Sequence, residues 1–360
     1  MSVLAPSPPV EPRSPKVTFD ETLARVRAAV DDVLRRTLET STSRATELGG
    51  TLPRVVASLA ALTMRGGKRF RAGLLVGSYE ACGGEGGVDA VVDAAAALEF
   101  LQVYMLVHDD WMDGDELRRD GPSVHADLRR AFGDTALGDA SAILAGDFAS
   151  ALAQRLLGSV RVDGARLLRA QAEFARIQED VVFGQLLDMH AGAADAASVE
   201  RMHQLKTGSY TVRGPLAMGA LLAGASESAL RSLERFAEPL GVAFQLRDDL
   251  LGAFGSSERT GKPSGSDFRQ GKRTSLVIEV EGDERGRALL AQVFGRANAP
   301  DSDVDALRLR MVECGAKNRV EARLEQLLDE ARARLRTCRL TDSGTRFFEG
   351  AVDALGERER

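Results

Sequence analysis

Several residue types that mark common classes of protein are scarce in this sequence. Only three cysteines occur in 360 residues, Cys82, Cys314 and Cys338, and no two of them form a CxxC pair. This spacing excludes metal and redox motifs built on such pairs, and it predicts reduced thiols in a cytoplasmic protein. Aromatic residues make up 5% of the chain, and the alternation of apolar and polar residues that predicts strands is rare.

An excess of positive charge is also missing. The chain has 47 Lys and Arg against 53 Asp and Glu, a net charge of −6, so it lacks the basic stripe of a nucleic-acid-binding protein. The N-terminus has no basic region followed by an apolar one, so we expect no secretory signal. The most apolar long segment, residues 88–107, contains several polar side chains: Asp89, Asp93, Glu99 and Gln102. We therefore expect a buried core helix there and no membrane span.

The composition that is present favours helices. Ala, Leu, Arg and Glu dominate, and 44% of the residues are hydrophobic, which suits a large all-α core. Residues 1–15 hold five of the eleven prolines, so residues 1–16 are predicted to be a disordered tail. From Thr18 onward apolar residues recur at spacings of three and four. Residues 17–360 are therefore expected to form a single all-helical domain, with helices predicted at 52–64, 88–108, 140–157, 167–188 and 202–222.

The most unusual segment is an acidic stretch at the end of the helix predicted over residues 88–108. It contains Asp109, Asp110, Asp113, Asp115 and Glu116 and is followed at once by Arg118 and Arg119. Like charges at this spacing repel one another and face the negative end of the helix dipole, so they need a positive partner. Mg²⁺ is suitable, because it takes carboxylate oxygens and keeps sites for water and phosphate. A solvated helix end is the alternative interpretation, which we keep for Asp115 and Glu116.

Spacing assigns different tasks to the other members of this stretch. Asp109 and Asp113 are four residues apart, so both carboxylates can reach one metal cluster. Asp110 lies about 100° further round the helix and is predicted to support the site from behind. Arg118 and Arg119 are adjacent, so they are expected to point in different directions, each toward a different anion.

Two basic segments precede and follow the acidic stretch. A pair of glycines leads into Lys68 and Arg71, which are three residues apart and would share one face of a helix. Two cations beside free backbone N–H groups at a helix start suit a diphosphate, although an ordinary basic surface turn fits equally well. Lys206 and Thr207 lie in another apolar helix, where polar groups need partners.

A second acidic pair, Asp248 and Asp249, ends a further apolar helix. It is followed by a loop over residues 260–274 that is rich in Gly, Lys and Ser and includes Lys262 and Lys272. This loop is predicted to cover phosphate. It is not a P-loop, because the GxxxxGK spacing fails.

An apolar helix face lies beneath the first acidic stretch. Counting back from Asp109 in steps of four and three gives one side of the helix, which carries Met105, Gln102 and Leu101, with Tyr104 flanking them. An apolar shaft below a metal and diphosphate head predicts a ligand with a hydrocarbon tail. Simple core packing is the alternative interpretation.

Taken together, these segments resemble the trans-type isoprenyl diphosphate synthases, the polyprenyl synthetase family. The resemblance depends on motifs that occur in the family's order: Gly66-Gly67-Lys68-Arg69-Phe70-Arg71, Asp109-Asp110-Trp111-Met112-Asp113, Arg118-Arg119, Lys206-Thr207, Gln245-Leu246-Arg247-Asp248-Asp249 and Gly271-Lys272-Arg273-Thr274. It implies an all-α bundle of about ten or more helices around a deep central cavity, in a homodimer. It also implies a prenyltransferase that condenses isopentenyl diphosphate with an allylic diphosphate.

The resemblance implies a role for each matched residue. Asp109 and Asp113 would hold two Mg²⁺ ions, and Asp248 would hold a third. The allylic diphosphate would be bound by one set of cations: Arg118, Lys206, Lys262 and Lys272. Isopentenyl diphosphate would be bound by another set: Lys68, Arg71, Gln102 and Arg119. Thr207, Gln245 and the neighbourhood of Lys206 would stabilise the allylic cation.

Tyr104, Met105 and Leu101 would set the product length in such an enzyme. One aromatic residue with a flexible methionine predicts a C20 product, geranylgeranyl diphosphate. The alternatives are farnesyl diphosphate (C15) and longer chains, the latter if Leu101 leaves the floor open. The sequence departs from the family at Gly252, where an aspartate often stands, so the third ion would depend on Asp248. Two rival classes are a class I terpene cyclase, which needs no second diphosphate site, and a non-catalytic regulatory subunit.

Overall fold

The computed structural model describes residues 14–190, 195–255 and 265–356. Most of these residues are helical, which confirms the all-α fold class. In chain order the helices are α1 (Pro15–Leu48), α2 (Leu52–Met64), α3 (Phe70–Ala81), α4 (Gly87–Asp113), α5 (Val124–Phe132), α6 (Thr135–Gly158), α7 (Gly164–Met189), α8 (Ala196–His203), a π-helix (Gln204–Arg213), α9 (Gly214–Ala223), α10 (Glu227–Phe254), α11 (Ser266–Arg269), α12 (Ser275–Glu281), α13 (Glu284–Val293), α14 (Asp301–Glu313), α15 (Ala316–Leu335) and α16 (Asp342–Gly356). A short antiparallel hairpin, β1 (Leu117–Arg118) and β2 (Gly121–Pro122), lies between α4 and α5.

The first helix begins earlier than the sequence predicts. The Ser14 side chain caps it by accepting a hydrogen bond from the backbone N–H of Val17 at 3.4 Å, and Pro15 takes the first helical position. Proline is well tolerated there, because its missing N–H would have no partner and its φ already suits a helix. Pro15 and Lys16 therefore belong to the helix and not to the predicted tail, whose residues 1–13 lie outside the described residues.

Two clusters of buried side chains form the core. The first joins α4 to α1, α2, α3, α6 and α7, and the second joins α10 to the helices from α12 to α16. Helices α3 and α9 contribute side chains to both clusters. The C-terminal ends of α4 and α10, which carry the two acidic motifs, line one cavity.

Two helices, α4 and α6, are long and apolar enough to cross a membrane by length and composition. In α4, 61% of the most apolar window is buried in the protein, against 39% in α6. Core packing explains the apolar character of α4, since Phe100 and Leu101 are fully buried. Helix α6 instead leaves Leu137 and Leu144 exposed.

The helix predicted over residues 202–222 is unbroken, but it is not α-helical throughout. Helix α8 gives way to ten residues of π-helix, after which α9 begins. Such wider turns are rare and occur mostly at functional sites. This one carries Lys206 and Thr207, the residues that the sequence singles out in this region.

Candidate active site

The two acidic helix ends face a common polar cavity of about 560 Å³. Helix α4 supplies Asp109, and α10 supplies Asp248 and Asp249. The cationic side chains predicted to bind diphosphate line the same cavity wherever they are described: Lys68, Arg71, Arg118, Arg119, Lys206 and Lys272. So do Gln102, Thr207 and Gln245. Lys262 lies outside the described residues.

Two carboxylates of the first acidic motif, Asp109 and Asp113, each face a lysine. Helix α4 ends at Asp113, where Gly114 closes it with a φ of 69°. Lys206 Nζ lies 3.3 Å from Asp109 Oδ1, and Lys272 Nζ lies 3.1 Å from Asp113 Oδ2. Both oxygens are buried and accept no well-directed hydrogen bond from the described residues. These ion pairs are therefore free to exchange for partners with better geometry.

Burial and neighbouring charges move the pKa values of these two carboxyls in opposite directions. Burial raises the pKa of Asp109, but the charges of Lys206, Lys272 and Arg118 outweigh it, so the net change is a lower pKa. Burial also raises the pKa of Asp113. The charge of Lys272 offsets only part of this increase, and the like charge of Asp109 adds to it, so the pKa of Asp113 stays raised. Burial lowers the pKa of both lysines, yet the carboxylates raise it by more. Both lysines therefore stay charged.

Asp110 is fully buried behind this motif. Its Oδ1 accepts hydrogen bonds from Arg118 Nε at 2.7 Å and from Arg118 Nη2, while burial raises the pKa of Asp110 to about 6. Arg118 also lies 3.4 Å from Asp115, which accepts a hydrogen bond from Gln270. The prediction that Asp115 is solvated is therefore wrong, because the end of α4 meets the segment after α11 there. Glu116 is exposed, as expected.

The hairpin between α4 and α5 separates the two adjacent arginines. Arg119 and Asp120 form its turn with φ values of 51° and 57°, the left-handed conformation of a type I′ turn. Residues other than glycine are strained there by about 1–2 kcal/mol. Arg118 binds Asp110, whereas Arg119 Nη1 donates to the carbonyl of Gly66 at 3.2 Å. The two side chains therefore point in different directions, as the sequence predicts.

A second polar group surrounds Gln102. With its amide oxygen turned toward the guanidinium groups, Gln102 accepts hydrogen bonds from Arg71 Nη1 at 3.0 Å and Arg119 Nη2 at 3.2 Å. Lys68 also lines the cavity, but it lies before α3, which begins only after Arg69 with its left-handed φ of 49°. The prediction that Lys68 and Arg71 share a helix face is therefore wrong, although both reach the cavity.

Arg69 is a residue that the sequence motif contains but does not explain. Its side chain is only 3% exposed, and its guanidinium lies 2.8 Å from Asp31 and 3.1 Å from Glu99. The Thr63 carbonyl accepts a further hydrogen bond from it at 3.1 Å. This network anchors the segment that carries Lys68. Sequence reasoning missed it, because its members are remote along the chain and no local pattern connects them.

The π-helix places Lys206 between two carboxylates. Glycine is required at position 184 of α7, because a Cβ there would lie 2.3 Å from the backbone nitrogen of Lys206. Lys206 Nζ lies 2.6 Å from Asp188 Oδ2 in addition to its contact with Asp109. Thr207, next to it, lines the polar cavity and a second, apolar one.

The second acidic motif is arranged differently from the first. Asp249 is 4% exposed, and its Oδ1 accepts a hydrogen bond from Gln245 Nε2 at 2.7 Å. Its Oδ2 has no hydrogen-bond partner among the described residues, and burial raises the pKa of Asp249 to about 7. Asp248 lines the cavity four residues before Gly252.

The apolar cavity, of about 270 Å³, adjoins the polar one at Asp109, Lys206 and Thr207. Its apolar walls come mainly from α4 and α7: Tyr104, Met105, Leu106, Met112, Val181, Val182, Leu186 and Met189. Tyr104 and Met105 thus lie where the sequence predicts a wall. The α7 side of this wall is missing from the prediction, because no spacing within α7 points to a ligand.

Leu101 does not border this cavity and is fully buried in the first core cluster. Eight residues separate it from Asp109, and at 100° per residue Leu101 lies about 80° away from the Asp109 direction. That rotation turns Leu101 toward the core. The structure therefore corrects its assignment to the floor.

A divalent cation would need ligands beyond the side chains alone. Among the described residues, no group of three or more His, Cys, Asp or Glu is arranged to hold a metal ion. Mg²⁺ nevertheless fits, because it is usually bound by one or two carboxylates together with substrate phosphates and water. The buried oxygens of Asp109, Asp113 and Asp249 that accept no hydrogen bond from the described residues are suitable donors.

Residues 53–311 match the sequence profile of the family described as Polyprenyl synthetase. That range is more than half of the chain and includes all the motifs described above. The chain belongs to the polyprenyl synthetase family.

Two relatives of this chain are named for the same type of reaction. A geranylgeranyl diphosphate synthase of Mycobacterium tuberculosis is 34% identical over 325 residues, which cover 86% of this chain and 89% of the relative. A farnesyl diphosphate synthase of Geobacillus stearothermophilus is 35% identical over 260 residues, with coverages of 69% and 82%.

A solved structure is similar over nearly the whole chain. It is a geranylgeranyl pyrophosphate synthase from Corynebacterium glutamicum complexed with isoprenyl diphosphate and magnesium, with a TM-score of 0.86 at 29% identity. The match covers 95% of this chain and 99% of the other. These similarities confirm the fold class, the family and the enzyme class, isoprenyl diphosphate synthase, that the sequence predicts.

Proposed function

We propose that this protein is a prenyltransferase that condenses isopentenyl diphosphate with an allylic diphosphate, head to tail and in the trans configuration. The proposal depends on two adjoining cavities. The polar one has two separate groups of cations and two acidic helix ends, and it opens beside Lys206 and Thr207 into the apolar one. Space for two anionic heads and one hydrocarbon tail suits the two substrates of this reaction, whereas a terpene cyclase needs one head site.

The carboxylates proposed to hold Mg²⁺, three ions per site, are Asp109 and Asp113 of α4 and Asp248 of α10. Bound there, Mg²⁺ would stabilise the charge that develops on the departing diphosphate. Lys206 and Lys272, which pair with Asp109 and Asp113 here, would then turn to the diphosphate. They belong to the set of cations that we assign to the allylic diphosphate: Lys206, Lys272, Arg118 and Lys262.

Isopentenyl diphosphate is assigned to the group around Gln102. Arg71 and Arg119 converge on the single amide oxygen of Gln102, and Lys68 lines the same cavity. Like charges held so close repel one another, so an anion at this point would be stabilised. A diphosphate offers several oxygens to guanidinium groups, which bind such anions through paired hydrogen bonds.

Thr207 and Gln245, with the polar groups in the neighbourhood of Lys206, are proposed to stabilise the cation that forms when the allylic C–O bond ionises. Thr207 lies where the polar and apolar cavities meet, and Gln245 lies on the opposite helix. Polar groups held in advance around developing charge lower the barrier most. The double bond of isopentenyl diphosphate then attacks the cation, and the released diphosphate takes the proton that is lost.

The product is proposed to be geranylgeranyl diphosphate, C20. Tyr104 and Met105 line the apolar cavity below Asp109, and a flexible methionine leaves more room than a second aromatic ring would. The similarity to named geranylgeranyl diphosphate synthases supports this length. A farnesyl diphosphate synthase is similarly related, so C15 is the alternative product.

We propose that the enzyme acts as a cytoplasmic homodimer. Helices α6 and α7 expose a group of apolar side chains: Leu137, Leu144, Val182, Phe183, Leu186, Leu187 and Met189. Three of them, Val182, Leu186 and Met189, also line the apolar cavity. A second copy on this face would exclude water from the cavity wall. All three cysteines are free thiols, which suits a reducing compartment.

A product assay tests the proposal. Purified protein with Mg²⁺, labelled isopentenyl diphosphate and farnesyl diphosphate is expected to yield a C20 diphosphate, and chelation of Mg²⁺ is expected to stop the reaction. No elongation of dimethylallyl, geranyl or farnesyl diphosphate would overturn the prenyltransferase proposal. A C15 end-point from dimethylallyl diphosphate would overturn only the product length. Sedimentation at assay concentration checks the dimer, and a fully active monomer would contradict it.

A further inference from the structure

The second acidic motif ends in Gly252, and another segment fills the place that its missing side chain leaves. A Cβ added at Gly252 would lie 2.6 Å from Asp267 Oδ2. That is closer than non-bonded atoms approach, so the Asp267 carboxylate occupies the space into which a residue at 252 would project. Both residues line the polar cavity.

Asp267 is held in this place by its neighbours along the chain. The Gly265 N–H donates to the Gly252 carbonyl at 3.1 Å, which ties the start of α11 to the end of α10. Phe268 is 1% exposed and packs in the second core cluster. The Asp267 carbonyl accepts a hydrogen bond from the Lys272 N–H at 2.9 Å. The backbone that carries the Asp267 carboxylate is therefore held by packing and hydrogen bonds on both sides.

Three carboxylates among the described residues belong to this part of the cavity wall. Asp248, Asp249 and Asp267 all line it, and the buried Oδ2 of Asp249 has no hydrogen-bond partner among the described residues. Two cations of the following segment also line the cavity, but Lys272 Nζ lies 3.1 Å from Asp113 of the opposite motif and Arg273 pairs with Glu281 at 2.8 Å. A cation bound between Asp248 and Asp267 would offset this charge.

We propose that Asp267 replaces the missing last carboxylate of the second acidic motif and helps to hold the divalent cation assigned to Asp248. The inference deepens the proposed function and rests on it. Gly252 and Asp267 act as a pair, since a small residue on the helix makes room for a carboxylate from the following segment. A side chain at 252 would require the Asp267 carboxylate to turn away from its present place.

The test measures metal binding without turnover. Mn²⁺ is titrated into the full-length protein with inorganic diphosphate present, and bound Mn²⁺ is counted by electron paramagnetic resonance. Asp267→Ala is expected to weaken one Mn²⁺ site by about 10–100-fold, the usual effect of losing a supporting group at a metal site. The double variant Gly252→Asp with Asp267→Ala returns a carboxylate from the helix and is expected to recover most of that loss. Asp329→Ala, whose side chain is 78% exposed on α15, is the control and should bind as the parent does.

Two outcomes with the alanine variants would overturn the proposal. One is unchanged Mn²⁺ binding in Asp267→Ala, and the other is a folded double variant that binds no better than Asp267→Ala. Circular dichroism checks folding. If the alanine variant unfolds, Asp267→Asn replaces it, because asparagine keeps the shape of the side chain and removes its charge. Full Mn²⁺ affinity in Asp267→Asn would also overturn the proposal. Failure of the proposed function is separate: a parent that binds Mn²⁺ with diphosphate yet elongates no primer refutes the prenyltransferase, while the Mn²⁺ titrations still decide the role of Asp267.

Discussion

The polar and apolar cavities meet at Lys206 and Thr207 but are built in opposite ways. The polar cavity draws charged side chains from α3, α4, the β1–β2 hairpin, the π-helix, α10 and the segment around α11, and these are paired in advance, as Asp109 is with Lys206. The apolar cavity is walled mainly by α4 and α7, and part of its wall is exposed. Binding of the diphosphates should therefore depend on many distant segments, and tail length on a few local side chains.

The largest effect is expected at the first acidic motif. Asp113→Ala removes a metal ligand and leaves the buried Lys272 without its carboxylate. Loss of several kcal/mol of charge stabilisation should lower kcat by about 10³-fold or more. Initial rates at saturating Mg²⁺ measure it, with Asp329→Ala as the control. A fall of less than tenfold would remove Asp113 from the proposed metal site.

The second largest loss of kcat is expected at Lys206, which projects from the π-helix into the polar cavity. Lys206→Ala removes a positive charge from the departing diphosphate, and it removes the ammonium group that lies between Asp109 and Asp188. Removal of one such donor typically lowers kcat by about 10²–10³-fold. The matched control is Lys317→Ala on α15, which pairs with Glu321 outside the cavity. Equal rates in the two variants would contradict the role of Lys206.

Changes in the apolar cavity should alter the product more than the rate. Met105→Ala and Tyr104→Ala enlarge the wall below Asp109, so the main product is expected to become longer while kcat stays within about tenfold, because no charged group is lost. Chromatography of the dephosphorylated products measures chain length. An unchanged product in both variants would place the floor elsewhere, with α7 as the remaining wall.

A substitution at Leu101 distinguishes an effect on product length from an effect on stability. Leu101→Ala deletes a fully buried side chain of the first core cluster and should lower the free energy of unfolding by about 2–5 kcal/mol. The product length should not change, since Leu101 does not border the apolar cavity. Urea denaturation and the same product analysis check both parts. A longer product would restore Leu101 to the floor.

The smallest effect is expected in the pH dependence of stability, and it comes from a histidine of the polar cavity. His203 lines the polar cavity at 6% exposure, and burial lowers its pKa to about 4. The unfolded chain takes up a proton below about pH 6.5 while the native His203 stays neutral, so stability is full above that pH and falls toward pH 4. By pH 5 the loss should be about 2 kcal/mol. His203→Gln should remove this slope in the unfolding free energy, and an unchanged slope would contradict the assignment.

Local patterns predict the parts of this molecule that depend on periodicity. The helix over 52–64 and the position of Asp109 and Asp113 at a helix end follow from spacing, and the structure has both. Residues whose roles depend on distant partners could not be predicted. Arg69 binds Asp31 and Glu99, and nothing in the run from Gly66 to Arg71 distinguishes an anchoring arginine from a ligand-binding one.

Helix periodicity and motif order are local properties, so the all-α fold, the family and the charged residues that line the polar cavity in the described part of the chain could be predicted from the sequence. The pairing of Lys206 with Asp109 and of Lys272 with Asp113 depends on tertiary packing. The tertiary structure also decided that Leu101 turns to the core and that Asp267 fills the space at Gly252. Those outcomes depend on how segments far apart in the chain pack. Electrostatic pairing and steric exclusion act between such segments, so no local sequence pattern predicts them.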